Sequence, residues 1–216
     1  MISIVGSGLT GLSCAIHLLK SSIPVEIYEA RQEIGNPVRS PGLLRNFDSK
    51  YIENTDAILT PIGWGFRREW LEKNLAKEVL SIGGIIHLKK QITNIDGMID
   101  CRGGKSIFSG WPGISGNDDI VQWKGGITIE KNIPPPFIIN SIQENNLSFL
   151  RGDGLVECWI KGDELPEPKQ GWLEIMSGEH PENPRKISGD EAIEKGTNLA
   201  KNIIQYRRDG LDNASR

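Results

Sequence analysis

The sequence predicts an α/β chain, with a parallel sheet in its first part and an antiparallel sheet in its later part. Three observations carry this. Before residue 30, an apolar strand, a glycine-rich turn, an amphipathic helix and a second strand follow one another. A second amphipathic pattern runs over residues 68–81. From Ser106 onward the composition turns to Gly, Pro and Trp among short apolar runs that end in polar turns. Strand, helix and strand in so short a span is the βαβ unit, whose crossover is right-handed.

The first strand is the apolar run Ile2–Val5, which ends at Gly6. The helix follows at Leu9–Lys20, with Leu12, Ala15, Ile16 and Leu19 on one face, and Pro24 closes the loop after it. The second strand is Val25–Tyr28. Residues 31–49 are rich in Gly, Pro, Arg and Asn, and irregular loops of that length are uncommon unless functional. In the second helix Leu71, Leu75, Val79 and Ile82 form the apolar stripe, and Gly83-Gly84 stops it. Residues 85–88 and 91–95 read as strands, and Asp96-Gly97 reads as a hairpin turn returning through 98–101 to a stop at Gly103-Gly104.

Farther on, residues 120–124 and 127–130 flank Gly125-Gly126 as a two-residue hairpin. Residues 137–142, 147–151 and 155–160 read as three more strands, and 161–186 as a Pro-, Glu- and Gly-rich loop. A last helix opens on the capping box Ser188-Gly189-Asp190-Glu191 and turns Ile193, Leu199, Ala200, Ile203 and Ile204 to one side. The tail after Arg208 is expected to be disordered. The expected domains are residues 1–105 with 187–208, and a small antiparallel domain over 106–186.

Composition narrows the function classes. With 216 residues and 38% hydrophobic content the chain can bury a core. A net charge of −3, without clustered Lys and Arg, excludes a nucleic-acid surface. No apolar run reaches the roughly 18 residues needed to span a membrane. The chain starts at once on a strand, with no basic leader, so a cytoplasmic setting is expected. The three cysteines, Cys14, Cys101 and Cys158, form no CxxC pair and fit neither a disulfide framework nor a zinc site. His17, His87 and His180 share no metal-ligand spacing, so no metal is expected. Trp111, Trp123, Trp159 and Trp172 gather in the second half, where sheet packing explains them better than an aromatic substrate pocket. The acidic stretch 163–194 reads as a solvated surface.

The chemistry sits in the first turn, Gly6-Ser7-Gly8-Leu9-Thr10-Gly11. Gly6 permits the tight turn out of the strand, Gly8 lets the backbone approach a pyrophosphate, and Gly11 lets the helix lie close on the sheet. The helix N-terminus then faces the anion. A GxGxxG pattern alone is weak. Here a strand precedes it, a helix follows, and Glu29 stands where the second strand ends, separated from Gly11 by seventeen residues. Its carboxylate suits ribose hydroxyls and would repel a 2′-phosphate. This is a Rossmann-type dinucleotide-binding unit.

Residues 1–45 resemble the flavoproteins of the two-dinucleotide-binding-domain type. The resemblance rests on the turn, on Val25-Glu-Ile-Tyr-Glu29-Ala30-Arg31, and on Gly35-Asn-Pro-Val-Arg39-Ser40-Pro-Gly42-Leu43. In that family the last segment touches FAD, whereas an NAD dehydrogenase passes from its second strand to a helix by a short loop. The resemblance therefore implies a Rossmann-type FAD/NAD(P)-binding domain with a reduced antiparallel β substrate-type domain, and FAD as cofactor. It implies Gly6, Ser7, Gly8, Leu9, Thr10 and Gly11 at the pyrophosphate, Glu29 at the adenosine ribose with Ala30 and Arg31 also cofactor-binding, and Arg39, Gly42 and Leu43 near phosphates and flavin.

Two branches stay open. Gly65-Phe-Arg-Arg-Glu-Trp-Leu71 resembles geranylgeranyl reductases and flavin hydroxylases. Met98-Ile-Asp-Cys-Arg-Gly103, Trp111-Pro-Gly-Ile-Ser-Gly116 and Leu150-Arg-Gly-Asp-Gly154 resemble D-amino-acid-oxidase-type enzymes. Both close a C-terminal segment on the flavin, for which the Gly189-Asp190 helix start is the candidate here. The function implied is flavin-mediated hydride transfer on a small-molecule substrate, with NAD(P)H a candidate electron donor and no catalytic residue assigned. The alternatives are a non-catalytic or partner-dependent flavin-binding subunit, a homo-oligomer included, and an NAD(P)-binding protein without flavin.

Overall fold

The computed structural model describes residues 1–46, 50–103 and 119–214, with side chains to Asp209. Along the chain run β1 (Ile2–Val5), α1 (Leu9–Lys20), β2 (Val25–Tyr28), β3 (Leu43–Leu44), β4 (Ile58–Thr60), β5 (Gly63–Gly65), α2 (Arg68–Ser81), β6 (Ile85–His87), β7 (Ile99–Asp100), β8 (Ile120–Thr128), β9 (Ser141–Ile142), β10 (Asn146–Leu150), β11 (Val156–Lys161), β12 (Glu174–Pro181) and α3 (Asp190–Ala214). They fall into two compact units. The first holds Met1–Ile34, the described part of Glu72–Gly110, and the chain from Glu191; the second holds Gly35–Leu71 and the described part of Trp111–Asp190. Residues 35–71, expected with the first unit, thus belong to the second. The reason is local: β3, β4 and β5 form their own three-stranded sheet, and Leu43 joins the core of the second unit.

The first unit is the predicted parallel sheet, in the order β6-β2-β1-β7. Ile4, Val25 and Ile27 are fully covered. Helix α1 is buried along nearly its whole length, so its face is broader than the stripe read from the sequence. In α2, Leu71, Leu75 and Val79 are buried as expected, but Ile82 is 37% exposed because it lies beyond the last turn. Gly83 ends that helix at φ +90°, in the left-handed region that favours glycine.

The expected hairpin over 91–101 does not form. The Asp96-Gly97 turn is made, with the Met98 N–H on the Ile95 carbonyl at 2.9 Å. However, 91–95 is not a strand, and β7 pairs in parallel with β1 instead. A place in the buried sheet outweighs a local turn preference.

The second unit carries a five-stranded antiparallel sheet, β12-β8-β11-β10-β9. One face buries Leu43, Trp123, Ile127, Leu147, Phe149, Trp159, Met176 and Ile187. Phe137, Val156 and Cys158 form a second cluster, with Trp172 packed on it.

Three sequence expectations fail in this unit. Gly125-Gly126 is no hairpin, and β8 runs unbroken through it. Both glycines are spaces for indoles: a Cβ on Gly125 would stand 2.8 Å from the Trp159 ring, and one on Gly126 would stand 2.5 Å from Trp172. The loop expected over 161–186 contains β12, an eight-residue edge strand that pairs with β8 along its length. The strand expected over 137–142 shrinks to β9, after the prolines at 134–136 that cannot donate to a ladder. Helix α3 also runs on past Arg208 to Ala214. Residues 104–118, which hold Gly104, the Ser106 composition change, and Trp111 within the 111–116 motif, lie outside the described residues.

Candidate dinucleotide site

The turn between β1 and α1 has one open side and two closed ones. Gly6 sits at φ +103°, and a Cβ there would stand 2.5 Å from the Cys101 carbonyl oxygen. A Cβ on Gly11 would stand 2.0 Å from the Gly6 carbonyl oxygen. Both positions require glycine to let strand, turn and helix meet. Gly8 is different, since a Cβ there would meet no atom within 4 Å. Gly8 caps α1, and the first helical bond is Leu12 N–H to Gly8 carbonyl at 3.0 Å. The N–H groups of Leu9, Thr10 and Gly11 therefore have no intrahelical acceptor. A helix N-terminus bordered by an open glycine is the cradle a pyrophosphate needs. The side chains of Leu9 and Thr10 are themselves buried.

Glu29 follows β2 and is 5% exposed. Its own N–H bonds the His87 carbonyl at 2.9 Å, and the Lys89 N–H bonds the Arg31 carbonyl at 3.0 Å, so the strand end is fixed in the sheet. The Glu29 carboxylate accepts from the Ser7 N–H at 3.0 Å and the Ser7 hydroxyl at 2.5 Å. It also accepts from the Arg31 N–H at 2.9 Å, Nε at 3.0 Å and Nη2 at 3.1 Å. Burial opposes ionisation, yet these bonds and the Arg31 charge prevail and hold the carboxyl near 2. Ser7 and Glu29 are thus brought together, while Ala30 points to solvent.

Arg39, Gly42 and Leu43 lie in the second unit. Arg39 is exposed. The Gly42 N–H donates to the Glu157 carboxylate at 3.0 Å, and the Leu43 carbonyl accepts from the Gly189 N–H at 2.9 Å. Leu43 is fully buried. Glu157 also takes the Trp159 Nε1–H at 2.7 Å and Arg151 Nη1 at 3.3 Å. Burial pushes the Glu157 carboxyl up, with Arg151 opposing. Sequence reasoning missed this buried acid, since a Glu inside a strand pattern carries no signal of its partners. It missed Gly196 as well. A Cβ on Gly196 of α3 would stand 2.2 Å from the Thr10 carbonyl oxygen, so glycine is what lets α3 reach the first turn of α1.

Burial pushes the Cys14 thiol up to about 12 and Cys101 higher, so neither is a thiolate at neutral pH. His180 is buried edge-on to Trp159, and burial with the nearby Arg68 charge holds it down to about 3. Among the described residues no group of three or more His, Cys, Asp or Glu could hold a metal. None of their helices is long and apolar enough to cross a membrane.

A family model described as an NAD(P)-binding Rossmann-like domain matches residues 4–49. A search of curated proteins gives no match. Among solved structures, the chain is similar to a geranylgeranyl bacteriochlorophyll reductase-like protein from Thermoplasma acidophilum, with a TM-score of 0.61 and 15% identity over 93% of this chain and 76% of that one. It is similar to a flavoprotein/dehydrogenase from Cytophaga hutchinsonii, with a TM-score of 0.61 and 13% identity over 96% of this chain and 79% of that one. A third is the glycerol-3-phosphate dehydrogenase from Bacillus halodurans complexed with FAD, at 0.56 and 11% over 98% of this chain but 64% of that one. At such identities the likeness is one of fold.

Proposed function

We propose that this chain, whose fold is that of FAD-dependent oxidoreductases of the two-dinucleotide-binding-domain type, binds FAD and works in hydride transfer on a small organic substrate. The observation that carries the reading is the turn itself. Gly6 and Gly11 are wedged against backbone while Gly8 opens onto space at the start of α1, with Glu29 fixed beside it. Bound FAD would supply hydride acceptance and donation. The chain's part is to bind and orient. The N–H groups of Leu9, Thr10 and Gly11 would hold the pyrophosphate. Glu29 would accept the ribose hydroxyls.

In the structure Glu29 already receives five donors, two from Ser7 and three from Arg31. A carboxylate offers about four lone-pair sites, so the guanidinium is the replaceable partner. Arg31 would then yield its place to the ribose. Arg39, with its exposed guanidinium, is a further proposed cofactor residue, and Arg39→Gln should weaken FAD binding. Gly42 and Leu43 would act by fixing the backbone that follows Arg39.

The test is the absorbance spectrum of the purified chain, taken before and after added FAD and on the supernatant after heating. A flavin spectrum released as FAD supports the reading. NADH or a substrate amine that then bleaches it would place the hydride step in this chain alone. A second reading, a flavin-binding subunit completed by a partner, draws on the start of α3, where the Gly189 N–H is already bonded to Leu43. Bound FAD that no donor reduces without a partner would favour it. A chain that takes up NAD⁺ but no FAD would refute both.

A further inference from the structure

The two strands beside β1 end in the same local device. After β2 comes Glu29-Ala30-Arg31; at the end of β7 comes Asp100-Cys101-Arg102. In each, a nearly buried carboxylate accepts the N–H of the residue two places on, and then two guanidinium nitrogens of that same arginine. For Asp100 and Arg102 the bonds are N–H to Oδ1 at 3.2 Å, Nε to Oδ1 at 2.8 Å and Nη2 to Oδ2 at 2.8 Å. The Asp100 side chain is 6% exposed and that of Arg102 is 44% exposed. The buried acid therefore fixes an exposed guanidinium in one orientation.

Its place in the sheet is what matters. The order β6-β2-β1-β7 puts β2 on one side of β1 and β7 on the other. In open α/β sheets a ligand lies across the carboxyl ends of the strands where the order reverses, and that point is here β1. Arg102 adjoins the turn directly. A Cβ on Gly6 would stand 3.0 Å from the Arg102 Cα, and the Cys101 N–H bonds the Val5 carbonyl at 2.7 Å. The glycine turn is thus flanked by Glu29 with Arg31 on one side and by Asp100 with Arg102 on the other.

On both flanks the arginine is the more exposed partner, Arg31 at 29% and Arg102 at 44%, and the flanks differ in what else engages the acid. On the β2 side the acid is also bound to Ser7 of the turn, so the carboxylate is the group engaged there. On the β7 side the acid is turned inward and the guanidinium is presented. We propose that Arg102 is a pyrophosphate ligand of the dinucleotide on the β7 side of the turn, with Asp100 as its positioning residue. This rests on the reading that the turn holds a dinucleotide. An arginine suits the task because its fork stays charged and pairs with two phosphate oxygens at once.

The experiment is calorimetric titration of the full chain with FAD, NAD⁺, ADP and adenosine. Wild type is compared with Arg102→Gln, Arg102→Lys and the double variant Asp100→Asn/Arg102→Gln. The double variant removes the buried charge that Arg102→Gln would strand. Loss of a charge-assisted phosphate contact should weaken ADP and FAD about ten- to hundredfold. Adenosine, which has no phosphate, should bind all four chains alike, and Arg102→Lys should restore part of the ADP affinity. A purely structural role for Arg102 would weaken adenosine in step with ADP and overturn the proposal. ADP bound by both Gln variants as by wild type would overturn it while leaving the dinucleotide reading intact. A wild-type chain that takes neither FAD, NAD⁺ nor ADP would overturn both.

Discussion

Glu29→Gln should lower stability at neutral pH and do so less as the solution is acidified. The wild-type carboxyl ionises near 2 in the folded chain, against 4.5 for an unperturbed glutamate. A folded-state value below the unfolded one means that stability is fully present above about 4.5 and is lost as the pH falls toward 2. The difference corresponds to at most about 3 kcal/mol at pH 7. Glu29 is 5% exposed, so water screens little of it. A glutamine keeps one acceptor oxygen, loses the charge that pairs with Arg31, and so should forfeit part of that sum. For a chain of this size each kcal/mol moves the melting temperature by about 2–4 °C, which sets a ceiling of about 6–12 °C. The assay is thermal unfolding of both chains, without ligand, at pH 7, 5.5, 4 and 3. The gap should hold between pH 7 and 5.5 and narrow at pH 4 and 3. Equal melting temperatures at pH 7, or a gap of the same width at pH 3, would show that the ionised carboxylate does not stabilise the turn as described.

Gly8→Val and Gly11→Val should part company. The Cβ of the first meets no protein atom within 4 Å, so this variant should keep the melting temperature while abolishing FAD uptake, and the Cβ of the second strikes the Gly6 carbonyl and should unfold the unit before binding can be read. Gly125→Ala should destabilise by about 1–3 kcal/mol, read by urea unfolding, because its methyl group overlaps the fully buried Trp159 indole. Glu157→Ala should cost about 1–3 kcal/mol by stranding the buried Gly42 and Trp159 N–H groups, while Arg151 keeps its ion pair with Asp153. Asp190→Ala should speed hydrogen exchange at the Arg45 and Asn46 amides, which now donate to its carboxylate at 2.6 and 3.2 Å; unchanged exchange would mean those bonds are not formed in solution.

The Rossmann unit was legible because each of its requirements leaves a local mark. Glycine at 6, 8 and 11, the apolar run of α1 and an acid closing β2 are all readable in order. The pairing of β7 with β1 was not, since it joins residues nearly a hundred apart and the intervening Asp96-Gly97 turn signals a different partner. Gly125-Gly126 misled for a related reason. Glycine marks both a turn and a close approach, and only the tertiary fold brings Trp159 and Trp172 over it. The Asp100 and Arg102 pair was hidden among ordinary charged residues, because its meaning lies in standing next to Gly6. The Ser7 bond to Glu29 was likewise out of reach, although both residues had been singled out.

The start of α3 is the place where sequence and structure bear most on function. Gly189-Asp190 was the candidate for a segment closing on the flavin, with its N–H groups and dipole free for a ligand. In the structure the Gly189 N–H is spent on the Leu43 carbonyl, and the Asp190 carboxylate turns to the amides of Arg45 and Asn46. A helix start whose polar groups hold a neighbouring strand has less to offer a cofactor. An acid at that position also favours donors over anions, and backbone amides satisfy it as well as any ligand hydroxyl. Either these bonds exchange when a cofactor enters, as the arginine on Glu29 must, or α3 serves the fold alone. The Asp190→Ala chain separates the two: weakened FAD uptake beyond the loss of stability would mean exchange, and unaltered uptake would assign α3 to the scaffold.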